Sequence, residues 1–132
     1  ITGVQLEVGE VATPFEHRLY QDELFACKYF FERVSGAEFL GATLCYQTNR
    51  TFTPWHWQVE KRGTPAVSVS DGTEVQVQAE DGYHTGSATT FDTITVHGTR
   101  IQMDTSNTPF TDGEAGILKL KSGNYIDISS EY

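Results

Sequence analysis

Apolar positions along the chain follow two regimes, one stretch at helical spacing and then a long series that alternates. In residues 20–34 (YQDELFACKYFFERV), Tyr20, Leu24, Cys27, Phe31 and Val34 fall at i, i+4, i+7, i+11 and i+14. That single stripe predicts a helix over 20–34, packed on a core through one face. Asp22 and Glu23 in its first turn and Arg33 in its last suit the helix dipole, and Ser35-Gly36 is a plausible stop. Phe25, Tyr29 and Phe30 form a second apolar flank that one sheet face would not cover. They either thicken an intramolecular core or pack against a neighbouring subunit.

From Glu38 onward the period becomes two. The segments EFLGATLCYQ, TFTPWHWQVE, PAVSVS, EVQVQA, TITVHGTRIQM, GILKLK and NYIDISSEY are short and rich in β-branched or aromatic residues,. Turn signals separate them: Thr48-Asn49-Arg50, Ser70-Asp71-Gly72, Glu80-Asp81-Gly82, Asp112-Gly113 and Ser122-Gly123-Asn124,. Strands at this spacing predict a mainly β protein, an antiparallel β-sandwich preceded by one N-terminal α-helix. Residues 1–19 read as a connector from a preceding module, with Val4, Leu6 and Val8 as a short strand. Residues 20–132 read as the domain itself. Two segments look like loops long enough to carry function: 82–90 (GYHTGSATT) and 104–116 (DTSNTPFTDGEAG),.

Composition narrows the function classes. The 132 residues carry 9 Lys+Arg against 18 Asp+Glu, a formal net charge of −9, with no basic cluster, so nucleic acid is not expected as a partner,. No apolar run approaches the roughly 20 residues needed to cross a bilayer as a helix, so membrane insertion is not expected. The first residue is Ile rather than Met, and the chain reads as a piece of a longer polypeptide. Cys27 and Cys45 both sit in apolar stretches, without CxxC or zinc spacing, and are expected to be free thiols.

Catalytic and metal chemistry find little support. There is no GxSxG, and no Ser, His and Asp stand at recognisable spacing. The carboxylate pairs Glu80-Asp81 and Asp112…Glu114 lie on apparent turns and read as solvated. His17, His56, His84 and His97 form no HxH or HxxxH arrangement, so no catalytic residue, metal ligand or cofactor is assigned,. Aromatic residues offer more. Tyr83, His84, Asn107 and Phe110, in the two longer loops, combine stacking faces with hydrogen-bonding groups, as a sugar site requires. Loops at one end of a sandwich can converge. Replacing Tyr83 or Phe110 by Ala is therefore expected to weaken binding while leaving the melting temperature nearly unchanged. Trp55 and Trp57, on one face of a strand with His56 on the other, are the fallback platform, though core burial is the favoured reading of both.

One resemblance adds to these readings. Gly3-Val4-Gln5-Leu6-Glu7-Val8-Gly9 followed by Val11-Ala12-Thr13-Pro14-Phe15-Glu16-His17-Arg18 resembles the pattern GVQLE-G--ATPFE-R of phage and prophage tail fibres. In that family it closes a sandwich module and runs into a helix of pattern Y-EL--C--Y. Here the helix has Tyr20, Glu23, Leu24, Cys27 and Phe30-Phe31, with the Phe pair where Tyr is usual. Val59-Glu60-Lys61-Arg62-Gly63-Thr64-Pro65-Ala66-Val67 is similar to the family's -V-MR--PTV segment, with Lys61 in place of Met. The ending Tyr125-Ile126-Asp127-Ile128-Ser129-Ser130-Glu131-Tyr132 is similar to its YI-F-AEL terminus.

The resemblance implies a C-terminal receptor-binding domain at the tip of a tail fibre, homotrimeric and engaged in host attachment. It implies residence in the virion after synthesis in the host cytoplasm, a reducing compartment that agrees with free thiols. It transfers no binding residues. A cell-surface glycan is the expected receptor, and Phe25, Tyr29 and Phe30 are the expected subunit contact. Two other readings remain open: a trimerisation or folding cap without its own ligand, and a carbohydrate-binding module of a polysaccharide-degrading enzyme.

Overall fold

The computed structural model describes residues 5, 6, 8–11, 13–15, 17–36, 38–70 and 75–130. Helix α1 (Tyr20–Phe30) leads into ten strands: β1 (Phe31–Ser35), β2 (Phe39–Gln47), β3 (Arg50–His56), β4 (Ala66–Val69), β5 (Val75–Ala79), β6 (Gly82–Thr85), β7 (Ala88–Asp92), β8 (Gly98–Asp104), β9 (Ala115–Leu120) and β10 (Tyr125–Ser129). Two antiparallel sheets result, ordered β1-β10-β4 and β6-β5-β9-β2-β3-β8-β7. Among the described residues the fold is mainly β and sandwich-like, with one helix at its N-terminal side, as the two spacing regimes predict.

The core follows from that alternation. Val34, Ile126 and Ile128 of the small sheet meet Val75, Val77, Leu118, Leu120, Cys45, Ile101 and Met103 of the large one. In each strand these residues stand two apart, so one face turns inward and the next residue outward.

The large sheet curls back on itself. Strands β6 and β7 lie at its opposite ends, yet only Gly86 and Ser87 separate them in the chain. The Gly86 amide donates to the Val75 carbonyl at 3.1 Å and the Ser87 amide to Asp104 at 2.7 Å, so this corner touches β5 and β8 together. A Cβ on Gly86 would stand 2.7 Å from Met103 Cγ, which explains why glycine occupies the corner,. Segment 82–90 is therefore not the loop its composition suggests but two short strands joined at a bend. In contrast, 93–97, assigned to a strand by its β-branched residues, is a turn closed on the Thr95 hydroxyl, which accepts from the His97 and Gly98 amides at 3.2 Å each,.

The predicted helix over 20–34 is corrected. It ends at Phe30, and residues 31–35 pair with β10 from Phe31↔Ser129 to Ser35↔Tyr125. Val34 is buried as a strand residue. No residue of α1 is buried, so the expected core stripe through Tyr20, Leu24 and Cys27 does not exist in the single chain. Of the expected first strand, Leu6 and Val8 are exposed and not in a strand, and Val4 lies outside the described residues.

Both cysteines are free thiols, as expected, but their settings differ. Cys27 is exposed on the helix and Cys45 is wholly buried. Burial, with the nearby Glu114 charge, pushes the Cys45 thiol up to about 11,. A thiol reagent applied to the folded protein at pH 8 should add one label, at Cys27, and a second only after denaturation. Mass spectrometry showing two labels on the native protein would contradict this.

Beneath α1 lies a buried ion pair. Lys61 is 1% exposed and its Nζ donates to Glu32 Oε2 at 2.8 Å and to the Lys28 carbonyl at 2.5 Å. That carbonyl belongs to the last turn of the helix, where acceptors lack intrahelical donors. The Arg62 amide caps Tyr29 O at 3.1 Å, and the Ser130 hydroxyl donates to the carbonyls of Tyr29 and Phe30. The end of α1 is thus fastened by the Arg62 amide, the Ser130 hydroxyl and one buried ammonium, while its aromatic side chains stay exposed.

Candidate functional site

The two segments singled out as recognition loops do meet. The His84 and Phe110 rings pack edge-to-face with centroids 5.2 Å apart. The Phe110 amide donates to Thr48 O at 3.0 Å, tying the long loop to the β2–β3 turn. Where the β5–β6 turn faces this loop a groove of about 760 Å³ opens, lined by Glu80, Asp81, Pro109, Thr111, Asp112, Gly113 and Glu114. Its size is that of a small-ligand site.

Two of its four carboxylates are already engaged. Glu114 accepts the Thr111 amide at 2.9 Å and the Glu80 amide at 3.3 Å, so it clamps one wall to the other. Asp81 lies 2.6 Å from His84 Nε2, and that hydrogen bond holds its carboxyl below the usual carboxylate range,. The Glu80 and Asp112 carboxylates make no hydrogen bond to any described residue. They are acceptors pointed at solvent, suited to ligands rich in hydroxyl or amine donors. Pro109 adds an apolar surface.

The predicted site residues separate on this geometry. His84 reaches the groove through Asp81. Phe110 is 4% exposed and belongs to the core, so the expectation of an exposed stacking ring there is corrected. Polar neighbours and Pro109 disguise it in the sequence. Tyr83 is exposed but stands on the opposite face of β6, where its hydroxyl donates to Gln78 and Lys119 sits 5.6 Å from its ring centroid. Asn107 is exposed and does not line the groove. Sequence reasoning set Glu80, Asp81, Asp112 and Glu114 aside as solvated turn residues. Only the strand order brings the two turns together.

The fallback pair also divides. Trp55 and Trp57 stack edge-to-face at 5.2 Å, so they share a side as alternation requires,. Trp57 is buried, with its Nε1 donating to Thr95 O at 3.0 Å, and is unavailable to a ligand. Trp55 lines a smaller cleft of about 350 Å³ with Pro54, His56, His97 and Arg100. Gly98 forms part of its floor, and a Cβ there would fall 2.3 Å from the Trp55 carbonyl oxygen. Among the described residues no group of three or more His, Cys, Asp or Glu side chains is placed to hold a metal ion. No helix among them is long and apolar enough to cross a membrane.

Comparison with known proteins finds no matching family model, no matching curated protein and no matching solved structure.

Proposed function

We propose that the chain is the receptor-binding C-terminal domain of a phage tail fibre, a non-enzymatic homotrimer that attaches to a host surface glycan. The observation that carries the binding part is the groove between the β5–β6 turn and the 105–114 loop, with the Glu80 and Asp112 carboxylates free to accept from sugar hydroxyls,. Three shallow sites on one trimer would engage a repeating polymer together, and avidity would supply strength that one site lacks. The tail-fibre pattern of residues 3–18 supports the biological setting. The exposed side chains of Phe25, Tyr29 and Phe30 support assembly, because such a surface is rarely left open on a monomer,.

A labelled sample of this chain should bind members of an array of bacterial surface glycans and compete with phage for adsorption. Asp112→Ala should weaken the binding about tenfold, the loss of one ligand hydrogen bond to a charged acceptor. Its melting temperature should stay unchanged, because Asp112 is exposed. Binding to no glycan and no competition would overturn the reading. Glycan binding that Asp112→Ala leaves intact would move the site to another surface. A trimerisation cap without a ligand is the second reading, favoured by the exposed aromatic side chains of α1, and it predicts a trimer that binds nothing on the array.

A further inference from the structure

Two dissimilar apolar surfaces are left open on this chain. The first is α1 with the residue after it: Tyr20, Leu24, Phe25, Tyr29, Phe30 and Phe31 are between 36% and 78% exposed. The second is the outer face of the large sheet, where Phe39, Leu44, Tyr46, Tyr83 and Ile117 are between 44% and 63% exposed. The second surface is contiguous by register. Tyr83 stands opposite Gln78, Gln78 opposite Ile117, and Ile117 opposite Ala42, while Leu44 faces Ala115 on one side and Phe52 on the other. Tyr46 stacks on Phe52 at 5.2 Å, and Lys119 lies over the Phe39 ring at 5.4 Å. Helix α1 of the same chain packs chiefly beside β1 and leaves this face open.

The geometry points to a head-to-tail contact: the outer face of the large sheet receives helix α1 of a neighbouring copy. The contact rests on the trimer reading and specifies it, since it sends Phe25 and Tyr29 to a neighbour's sheet rather than to one another. Three arguments carry it. A closed ring of three is built from heterologous contacts, in which one patch docks on a different patch of the next copy. A helix-on-helix dimer would leave the sheet face in water, whereas a ring covers both surfaces on every chain. The areas match as well. With ~200 Å² per large side chain, the fractional exposures leave roughly 600 Å² on the helix and roughly 500 Å² on the sheet. Together they come to roughly 1,100 Å² for one contact, just above the ~1,000 Å² that a specific interface should clear. Charge is complementary too. Lys119 pairs with no carboxylate among the described residues, and Asp22 in the first turn of α1 pairs with no cation among them. The centre of the face, Leu44 and Ile117 with Ala42 and Ala115, is aliphatic and calls for an apolar partner rather than a sugar.

Two surface variants test the contact by light scattering at micromolar concentration, with circular dichroism to show that each is folded. One is Phe25→Glu/Tyr29→Glu, the other Leu44→Glu/Ile117→Glu. The unaltered chain should be a trimer and each variant alone a monomer. Their equimolar mixture should form a one-to-one dimer, because it keeps one intact helix facing one intact sheet and cannot close. A sheet variant that remains a trimer would overturn this inference and leave the trimer reading standing. A monomeric unaltered chain would overturn both. Should a variant fail to fold, Ala115→Cys replaces it: mild oxidation should join Cys27 of one copy to position 115 of another. Disulfides between two Cys27 residues would refute the contact.

Discussion

Lys61→Met is expected to destabilise the protein by about 3–5 kcal/mol, the usual cost of removing one partner from a buried ion pair. Met fills a similar volume, so packing alone would predict little change. Charge decides the outcome. Glu32 is 4% exposed, and Lys61 is the only cation bound to it among the described residues. Without the ammonium, the carboxylate must either stay charged in a poor solvent or take up a proton. The Lys28 carbonyl also loses its donor, which loosens the end of α1,. Glu32→Leu combined with Lys61→Met removes the stranded charge and should recover most of the loss. Guanidinium denaturation of the two variants measures both steps. A single-variant loss below about 1 kcal/mol would show that the pair contributes nothing.

Phe110→Ala is expected to cost about 3–5 kcal/mol, as a large-to-small change in a packed core does. The melting temperature should drop by about 10 °C or more. This reverses the outcome predicted from sequence, where Phe110 is an exposed ring whose loss spares stability. Its contact with His84 gives a control. His84→Ala removes the edge-to-face partner but leaves the Phe110 ring in the core, so its cost should be near 1 kcal/mol,. Equal costs for the two variants would place Phe110 outside the core.

How much of this was legible follows from where the information resides. Alternation is local, and the segments EVQVQA, GILKLK and NYIDISSEY that it marks do contain strands β5, β9 and β10, in which Val75 and Val77, Leu118 and Leu120, and Ile126 and Ile128 are buried two apart. The helix end was not legible. Phe31 and Val34 continue the helical stripe at i+11 and i+14, and nothing near them reveals that β10, over ninety residues on, pairs with this segment. Glu32 meets its partner Lys61 29 residues on, and nothing near it in the sequence reveals that pairing. The candidate groove was half legible. Its long loop was visible from Pro109, Asp112 and Gly113, whereas the Gly-, Ser- and Thr-rich segment 82–90 belongs to the sheet. The groove's acidic lining depends on two turns that only the strand order brings together.

The strand order also governs when the chain can fold during its synthesis. The small sheet is ordered β1-β10-β4, and in the large one β9 lies between β5 and β2. Among the described residues, the strands that complete the middle of both sheets, β9 and β10, therefore follow the other eight. While residues 20–104 leave the ribosome, β1 and β4 have no common neighbour, and β2 and β5 face a gap one strand wide. Hairpins such as β2–β3 and β5–β6 can form early, but isolated hairpins are marginal in water. Closing the gaps waits for residues 115–129 and joins segments far apart in the chain, a slow kind of event. Until then four strand edges and their apolar faces stand open to other nascent chains. Neither sheet can close until the strand that fills its middle has been made.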